Sequence, residues 1–196
     1  MDNVGIYLFN NVELLDFAGP YEAFSCASYR DGKKPFNVFT ISSDGKEVRS
    51  VNGLRVNPDY SFKDHPAIDI LIIPDGMGTR KEVHNPTVLE WVKKTYDASK
   101  ITMTVCSGAL LPAKLGLLDS LESTTHHGVI SYLEEIAPKS TVTPSVRFTD
   151  NGKIMTSGGV SAGIDLSLHV IRKRCGDDVA NDAMIYLEYG DWKSLM

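Results

Sequence analysis

Uninterrupted apolar runs are the feature of this chain that most restricts its fold. IDILIIP, at residues 68–74, places apolar side chains at consecutive positions, and VGIYLF at 4–9 does the same. Strands of this kind are buried on both faces, as in parallel sheets that carry helices on each side. FNVFTIS at 36–42 and the run that ends at Cys106 are two further candidate strands.

Helical segments separate these strands, as parallel pairing requires. The spacing of apolar residues predicts helices at 85–99, 128–137, 160–176 and 177–190, and Gly19-Pro20 indicates a turn with Pro20 at the start of an earlier helix. Asn52-Gly53 and Asp150-Asn151-Gly152 indicate β-hairpins over 47–56 and 145–159. We therefore expect one α/β domain over residues 1–196, with a mostly parallel central sheet.

Composition argues against several classes of function. The net charge is −5 and no Lys/Arg cluster is present, so nucleic-acid binding is not expected. No apolar run is long enough for a transmembrane helix, and MDNVGIYLF does not resemble a secretory signal. The three cysteines are too widely spaced for a disulfide framework or a CxxC pair. These observations predict a cytoplasmic protein with no membrane or nucleic-acid partner.

Three polar segments follow predicted strands and are expected to meet. NNVELLD follows the first strand, PDGMGT follows IDILII, and Cys106 ends its own strand. Ligands of open α/β sheets bind beyond the carboxyl ends of the strands. The topology therefore predicts that these segments converge on one site.

Cys106 lies at a predicted strand-to-helix turn, in TVCSGALLPAKLG (104–116). Strand–Cys–x–Gly–helix is half of a nucleophile elbow, with Gly108 as the small residue that the turn needs, although Thr104 replaces the usual first glycine. A thiol at a helix N-terminus is expected to have its pKa lowered from about 8.5. A buried, inert structural cysteine fits the same pattern, so the residues alone leave both interpretations open.

Five segments, in chain order, resemble the ThiJ/PfpI superfamily: GIYLFNNVELLDFAGPYEAF, ILIIPDGMGT, TVCSGALLPAKLGLLD, TTHH and TSGGVSAGIDLSLHVI. The resemblance implies the fold of class I glutamine amidotransferases, a flavodoxin-like three-layer sandwich that usually assembles as a homodimer. ELLDFAGPYEAF, and CSGA instead of a Cys-His pair, are most similar to the isocyanide (isonitrile) hydratases. They are also similar to the sensor half of AraC-type regulators.

The resemblance also assigns roles to particular residues. The nucleophile of the superfamily falls on Cys106, and its carboxylate partner, a Glu in many relatives and an Asp in the hydratases, falls on Asp16. The backbone N–H groups of Gly76 and Ser107 fall where the family keeps its oxyanion donors. No metal or organic cofactor is implied, because the thiol and the carboxyl supply the nucleophile and the acid.

The chain departs from the family pattern at two of these positions. Relatives usually read Pro-Gly-Gly where this chain has Pro74-Asp75-Gly76, which changes the charge beside the expected pocket. The hydratases often have Thr where this chain has Ser107. The protease-like branch has His at the position of Ser107, so its absence here counts against peptidase activity.

Other residues keep a structural alternative. Asp16 is either a catalytic carboxyl whose pKa burial would raise, or a helix cap before GPYEAF. His126 and His127 are adjacent on a chain expected to be extended, so at most one should face the pocket, and a core or capping role is favoured. Gly163 and the pair Gly158-Gly159 are expected to be close-packing and turn glycines.

Three functions fit this sequence. The first is a lyase that hydrates isonitriles to N-substituted formamides. The second is a non-catalytic small-molecule sensor, although no helix-turn-helix module follows within the 196 residues. The third is a thiol-dependent hydrolase, deglycase or stress protein, for which only His126 or His127 is available beside the cysteine.

Overall fold

A seven-stranded sheet, parallel except at one edge, organises the chain. The computed structural model describes all residues from 1 to 196. The strands are β1 Asp2–Tyr7, β2 Phe36–Ser42, β3 Val48–Arg49, β4 Arg55–Val56, β5 Tyr60–Ser61, β6 Ile70–Ile73, β7 Ile101–Thr104, β8 Glu122–Ser123, β9 Thr141–Val142, β10 Phe148–Asp150 and β11 Ile154–Ser157. The helices are α1 Leu14–Cys26, α2 Thr79–Glu82, α3 Pro86–Ala98, α4 Leu110–Lys114, α5 Ile130–Ile136, α6 Ala162–Cys175 and α7 Asp177–Tyr186.

Buried strands form the centre of this sheet, whose order is β10-β11-β7-β6-β1-β2-β5 with only β10 and β11 antiparallel. Ile6 pairs with Ile72, and Ile72 with Met103, and all three are fully buried. Helix α6 packs against α1 and α7, whereas α4 packs against α2, α3 and α5. The predicted α/β fold, a mostly parallel sheet flanked by helices, is confirmed. No helix has the length and apolar composition that crossing a bilayer demands.

Both predicted hairpins are present. Strands β3 and β4 pair on either side of Asn52-Gly53, and β10 and β11 pair around Gly152. Gly53 and Gly152 have φ angles of 86° and 83°, a left-handed backbone that glycine adopts without steric cost. Local turn chemistry therefore decides these two connections.

The predicted helix start at Pro20 is wrong. Helix α1 begins at Leu14 and contains Pro20 in its interior. The Gly19-Pro20 pair lies where α1 meets α6: a Cβ on Gly19 would lie 2.9 Å from the Ile164 side chain, and one on Gly163 would lie 3.5 Å from Pro20 Cγ. Close helix packing therefore outweighs the local preference for a turn, and Gly163 is confirmed as a close-packing glycine.

The turn after β7 has the geometry of a nucleophile elbow. Cys106 has a φ of 57°, which is uncommon for a residue with a side chain, and residues 106–109 form a 3₁₀ turn before α4. A Cβ on Gly108 would lie 2.2 Å from the Ile73 carbonyl oxygen and 2.9 Å from that of Pro74. Only glycine lets the turn approach the end of β6 this closely.

We expect Gly108→Ala to be far more destabilising than Gly116→Ala. At Gly108 the new methyl group would collide with backbone atoms, which should cost at least about 2 kcal/mol. At Gly116 a Cβ meets nothing within 4 Å, so only its φ of 70° opposes the change, at about 1 kcal/mol. Urea unfolding of the two variants measures the difference, and equal losses would contradict this account of the elbow.

Candidate active site

Three side chains from distant parts of the sequence meet at the carboxyl edge of the sheet. Asp16 lies in α1 after β1, Asp75 follows β6, and Cys106 follows β7. Strands β1 and β6 are neighbours, and the chain continues from them toward opposite edges of the sheet, which makes this the topological switch point. One donor atom of each residue lies within 4.8 Å of the others. The predicted convergence is confirmed.

The thiol contacts Asp75 directly. The Cys106 S–H donates to Asp75 Oδ2 at 3.0 Å. The Asp75 backbone N–H in turn donates to Asp16 Oδ2 at 3.1 Å. The hydrogen bonds therefore run from Cys106 through Asp75 to Asp16, and the residue in contact with sulfur is the one at which this sequence departs from Pro-Gly-Gly.

Asp16 is a buried carboxyl that favours its protonated form. Its side chain is inaccessible to solvent, and Oδ1 has no hydrogen-bond partner. Burial raises the pKa of Asp16 to about 8; the Asp75 N–H opposes this, and the negative charges of Asp75 and Glu13 add to it. The alternative of a helix cap is wrong, because Glu13 occupies the N-cap position and Asp16 lies inside α1.

The Cys106 thiol is also more difficult to ionise than an isolated cysteine. Cys106 is 4% exposed, and burial raises the pKa of its thiol; the negative charge of Asp75 raises it further, as does that of Asp16 once Asp16 ionises. The Ser107 N–H acts in the opposite direction but is outweighed. The predicted lowering of the thiol pKa by a helix N-terminus is therefore wrong: only a 3₁₀ turn and the short α4 follow Cys106, while a carboxylate lies against the sulfur.

The backbone of the elbow is held by two segments that carried the family resemblance. The Cys106 N–H donates to the Gly158 carbonyl at 3.0 Å, and Thr125 Oγ1 donates to the Cys106 carbonyl at 2.8 Å. These bonds fix the left-handed conformation that aims the thiol at the cavity. Sequence reasoning did not assign positioning roles to Thr125 and Gly158, although TTHH and TSGG were the available signals.

Gly76 brings a backbone donor to the site. Its φ is 150°, and a Cβ there would lie 2.0 Å from the Asn11 carbonyl oxygen, so no other residue fits. The Gly76 N–H donates to no acceptor within the chain. Ser107 is buried beside the thiol, and its Oγ also lacks a partner.

A cavity of about 290 Å³ opens beside the thiol. Its lining is Glu13, Val51, Asp75, Gly76, Met77, Arg80, Cys106, His126, Val129 and Val160. The aliphatic and methionine side chains provide an apolar wall, so the cavity suits a small ligand with an apolar substituent.

Of the two histidines, only His126 lines this cavity. His127 lines a neighbouring cavity of about 500 Å³, so the expectation that at most one faces the site is confirmed. Their rings do not point in opposite directions, because a 3₁₀ turn begins at His127 and the ring centroids are 4.1 Å apart. His126 Nδ1 accepts the Gly128 N–H at 3.1 Å, which is a capping role.

The donor atoms of Asp16, Asp75 and Cys106 lie close enough together to surround a cation, but the protonation of two of them does not fit one. Two carboxylate oxygens and a sulfur form a donor set that Zn²⁺ accepts. A cation would have to displace the proton of the thiol and that of Asp16, because burial favours the protonated form of both groups.

Residues 2–173 match the family model described as DJ-1/PfpI. The chain belongs to the DJ-1/PfpI family. It is 30% identical to an isonitrile hydratase from Pseudomonas putida, over 95% of this chain and 78% of that protein. It is 26% identical to the HTH-type transcriptional regulator GbdR of Pseudomonas aeruginosa, over 91% of this chain but only 48% of the regulator, about half its length.

A solved structure of a ThiJ/PfpI family protein from Pseudomonas syringae has the same fold as this DJ-1/PfpI chain. The TM-score is 0.86 at 22% sequence identity, and the match covers 96% of this chain and 75% of the other. The relatives of this chain therefore include an enzyme and a regulator, so the family alone does not decide between catalysis and sensing.

The raised pKa of Asp16 predicts a specific effect of pH on stability. The folded state holds the Asp16 proton more tightly than the unfolded chain, so the stabilisation is present at low pH and is lost as pH rises toward about 8. Between about pH 4 and about pH 8, the free energy of unfolding of the wild type should fall by about 1.4 kcal/mol per pH unit relative to that of Asp16→Asn. Urea unfolding from acidic to mildly alkaline pH measures this slope, and parallel curves would contradict it.

Proposed function

We propose that this protein is a cysteine-dependent isonitrile hydratase-like lyase, which adds water to an isonitrile and releases an N-substituted formamide. The observation that carries the proposal is an elbow thiol and a buried, protonated carboxyl whose donor atoms lie within 4.8 Å of each other. The terminal carbon of an isonitrile must gain both a nucleophile and a proton. This site offers both beside an apolar cavity.

The first step joins sulfur to the terminal carbon. The Cys106 sulfur, having released its proton, attacks that carbon while Asp16 transfers its proton to the same carbon. The products are a thioimidate, in which carbon carries a new C–H and a new C–S bond, and an ionised Asp16. Asp16 Oδ1 suits proton delivery because Oδ2 already accepts the Asp75 N–H.

The second step adds water across the C=N bond. The water oxygen bonds to carbon, Asp16 takes one proton of the water, and the nitrogen takes the proton that the thiol released. The N–H groups of Gly76 and Ser107 are proposed to stabilise the negative charge that this oxygen carries when it gives up its remaining proton in the step that follows.

The third step releases the product. The C=O bond forms as the C–S bond breaks, and the hydroxyl proton returns to sulfur. Atoms and protons balance: one water is consumed, one formamide leaves, and Cys106 and Asp16 regain their protons. The thiol and the carboxyl supply the nucleophile and the acid, so this sequence of steps calls on no cofactor.

We expect replacement of Cys106 and replacement of Asp16 to reduce turnover to different extents. Cys106→Ala should abolish turnover, because no covalent intermediate can form. Asp16→Asn should stay folded but lose at least ~10²-fold in kcat, the usual size of general acid–base catalysis. Mass spectrometry of the formamide made from a simple alkyl or aryl isonitrile measures both effects.

Cys26→Ala is the matched control, because Cys26 lies at the end of α1 and does not line the cavity. It should keep parental turnover. A folded Asp16→Asn variant with the parental rate would mean that Asp16 is not the acid. A wild-type protein that forms no formamide would contradict the enzymatic proposal and favour a sensor role.

We also propose that the chain acts in the cytoplasm as a homodimer. The support for a homodimer is the resemblance to a superfamily whose members usually pair, together with the fact that two-fold pairing is the commonest closed assembly. Light scattering at micromolar concentration should give twice the 21.5 kDa chain mass. A single species at the chain mass would exclude the dimer.

A further inference from the structure

We propose that Asp75 is a catalytic base: it removes the Cys106 thiol proton as sulfur attacks, and then gives that proton to the substrate nitrogen. The proposal deepens the isonitrile hydratase-like function and rests on it for the second transfer. The first transfer concerns only Asp75 and Cys106 and can be tested without an isonitrile.

The contacts of Asp75 suit this role. Its Oδ2 accepts the Cys106 S–H at 3.0 Å, and its Oδ1 is buried without any hydrogen-bond partner. Its backbone is held on both sides, since its N–H donates to Asp16 Oδ2 and its carbonyl accepts the Glu13 N–H at 2.7 Å. The carboxylate is therefore fixed against the sulfur, as a base must be.

The other ionisable groups around the thiol are less suitable as its base. Asp16 favours its protonated form and serves as the acid. His126 uses Nδ1 to accept the Gly128 N–H. Glu13 and Arg80 line the cavity, but neither forms a hydrogen bond with the thiol.

Charge balance favours transfer to Asp75 over loss of the proton to solvent. Release to solvent would leave a thiolate and a carboxylate 3.0 Å apart in a site where Cys106 is 4% exposed. Like charges at this separation repel strongly where water is scarce. Transfer to Asp75 Oδ2 breaks the S–H bond and forms an O–H bond, while the net charge of the pair stays at minus one.

The later return of this proton completes the reaction. When water has added to the thioimidate carbon, the nitrogen holds the electron pair of the former C=N bond. Asp75 gives its proton to that pair and becomes a carboxylate again. Asp16 gives its proton to carbon and takes one proton from water, whereas Asp75 moves the thiol proton to nitrogen. The two carboxyl groups therefore transfer different protons.

The test measures how the rate of Cys106 alkylation by iodoacetamide depends on pH, with peptide mapping to exclude Cys26 and Cys175. With Asp75 as an internal base, the wild-type rate constant should be nearly flat between about pH 6 and about pH 8. In Asp75→Asn the solvent must take the proton, so the rate constant should rise about tenfold per pH unit. Equal slopes in the two proteins would overturn the proposal.

Glu13→Gln is the matched control, because it removes one negative charge from the same cavity without touching the sulfur. It should keep the flat profile. Asp75→Gly is a second variant that also lacks the carboxylate, and it should follow Asp75→Asn. A flat profile in Asp75→Gly would overturn the proposal as well.

Turnover supplies an independent readout. Asp75→Asn should alkylate more slowly than wild type at about pH 6, because solvent must then take the thiol proton, and its kcat for isonitrile hydration should fall by at least ~10²-fold. If both rates rise, Asp75 only opposes ionisation of the thiol and is not a base. If the alkylation rate falls by the same factor at every pH between about 6 and about 8, Asp75 is a structural residue, and the proposal is wrong.

The two readouts separate this proposal from the proposed function. A flat wild-type profile that becomes steep in Asp75→Asn, with no formamide from the wild-type protein, would support Asp75 as the base of Cys106 and contradict the isonitrile as substrate. Formamide formation, together with equal alkylation slopes in the two proteins, would support the isonitrile as substrate and contradict the role of Asp75 as base.

Discussion

The hydrogen bond from the buried Cys106 thiol to the half-buried Asp75 is the interaction on which the site depends. In solution a thiol and a carboxylate would each be hydrated, and the contact would contribute little. Here Cys106 is 4% exposed, and its sulfur donates to an Asp75 carboxylate oxygen 3.0 Å away. The same burial that strengthens this bond keeps Asp16 protonated, so one physical cause sets the ionisation of the nucleophile and of the acid together.

The scaffold makes this arrangement possible through close backbone approaches. Gly108 lets the turn after β7 pass close to the end of β6, and Gly76 lets the loop after β6 pass close to Asn11. Bonds from Thr125 and Gly158 then hold Cys106 in its left-handed conformation. Each of these positions belongs to a different segment of the chain, which explains why the family resemblance is spread over several short motifs.

Features decided by local chemistry could be predicted from the sequence. The buried strands follow from consecutive apolar residues, the two hairpins follow from Asn52-Gly53 and Asp150-Asn151-Gly152, and strand order brings Asp16, Asp75 and Cys106 together. The order of the strands predicts that convergence without reference to any family.

Features decided by tertiary contact could not be predicted in the same way. Pro20 lies inside α1 because that helix packs closely on α6, which no local pattern reveals. The thiol pKa is raised and not lowered, because desolvation and the carboxylate of Asp75 outweigh the N–H groups of a short turn. Burial of the thiol makes the largest contribution, and neither that burial nor the orientation of the Asp75 side chain is fixed by the neighbouring residues in the sequence.

Covalent catalysis by Cys106 is the central claim of this account, and a trapped intermediate tests it most directly. Wild-type protein mixed with a simple isonitrile and quenched in acid within one turnover should carry an added mass equal to that of the isonitrile. Peptide mapping should place this mass on the Cys106 peptide alone. Formamide production without an adduct on Cys106, or with the adduct on another residue, would contradict the account.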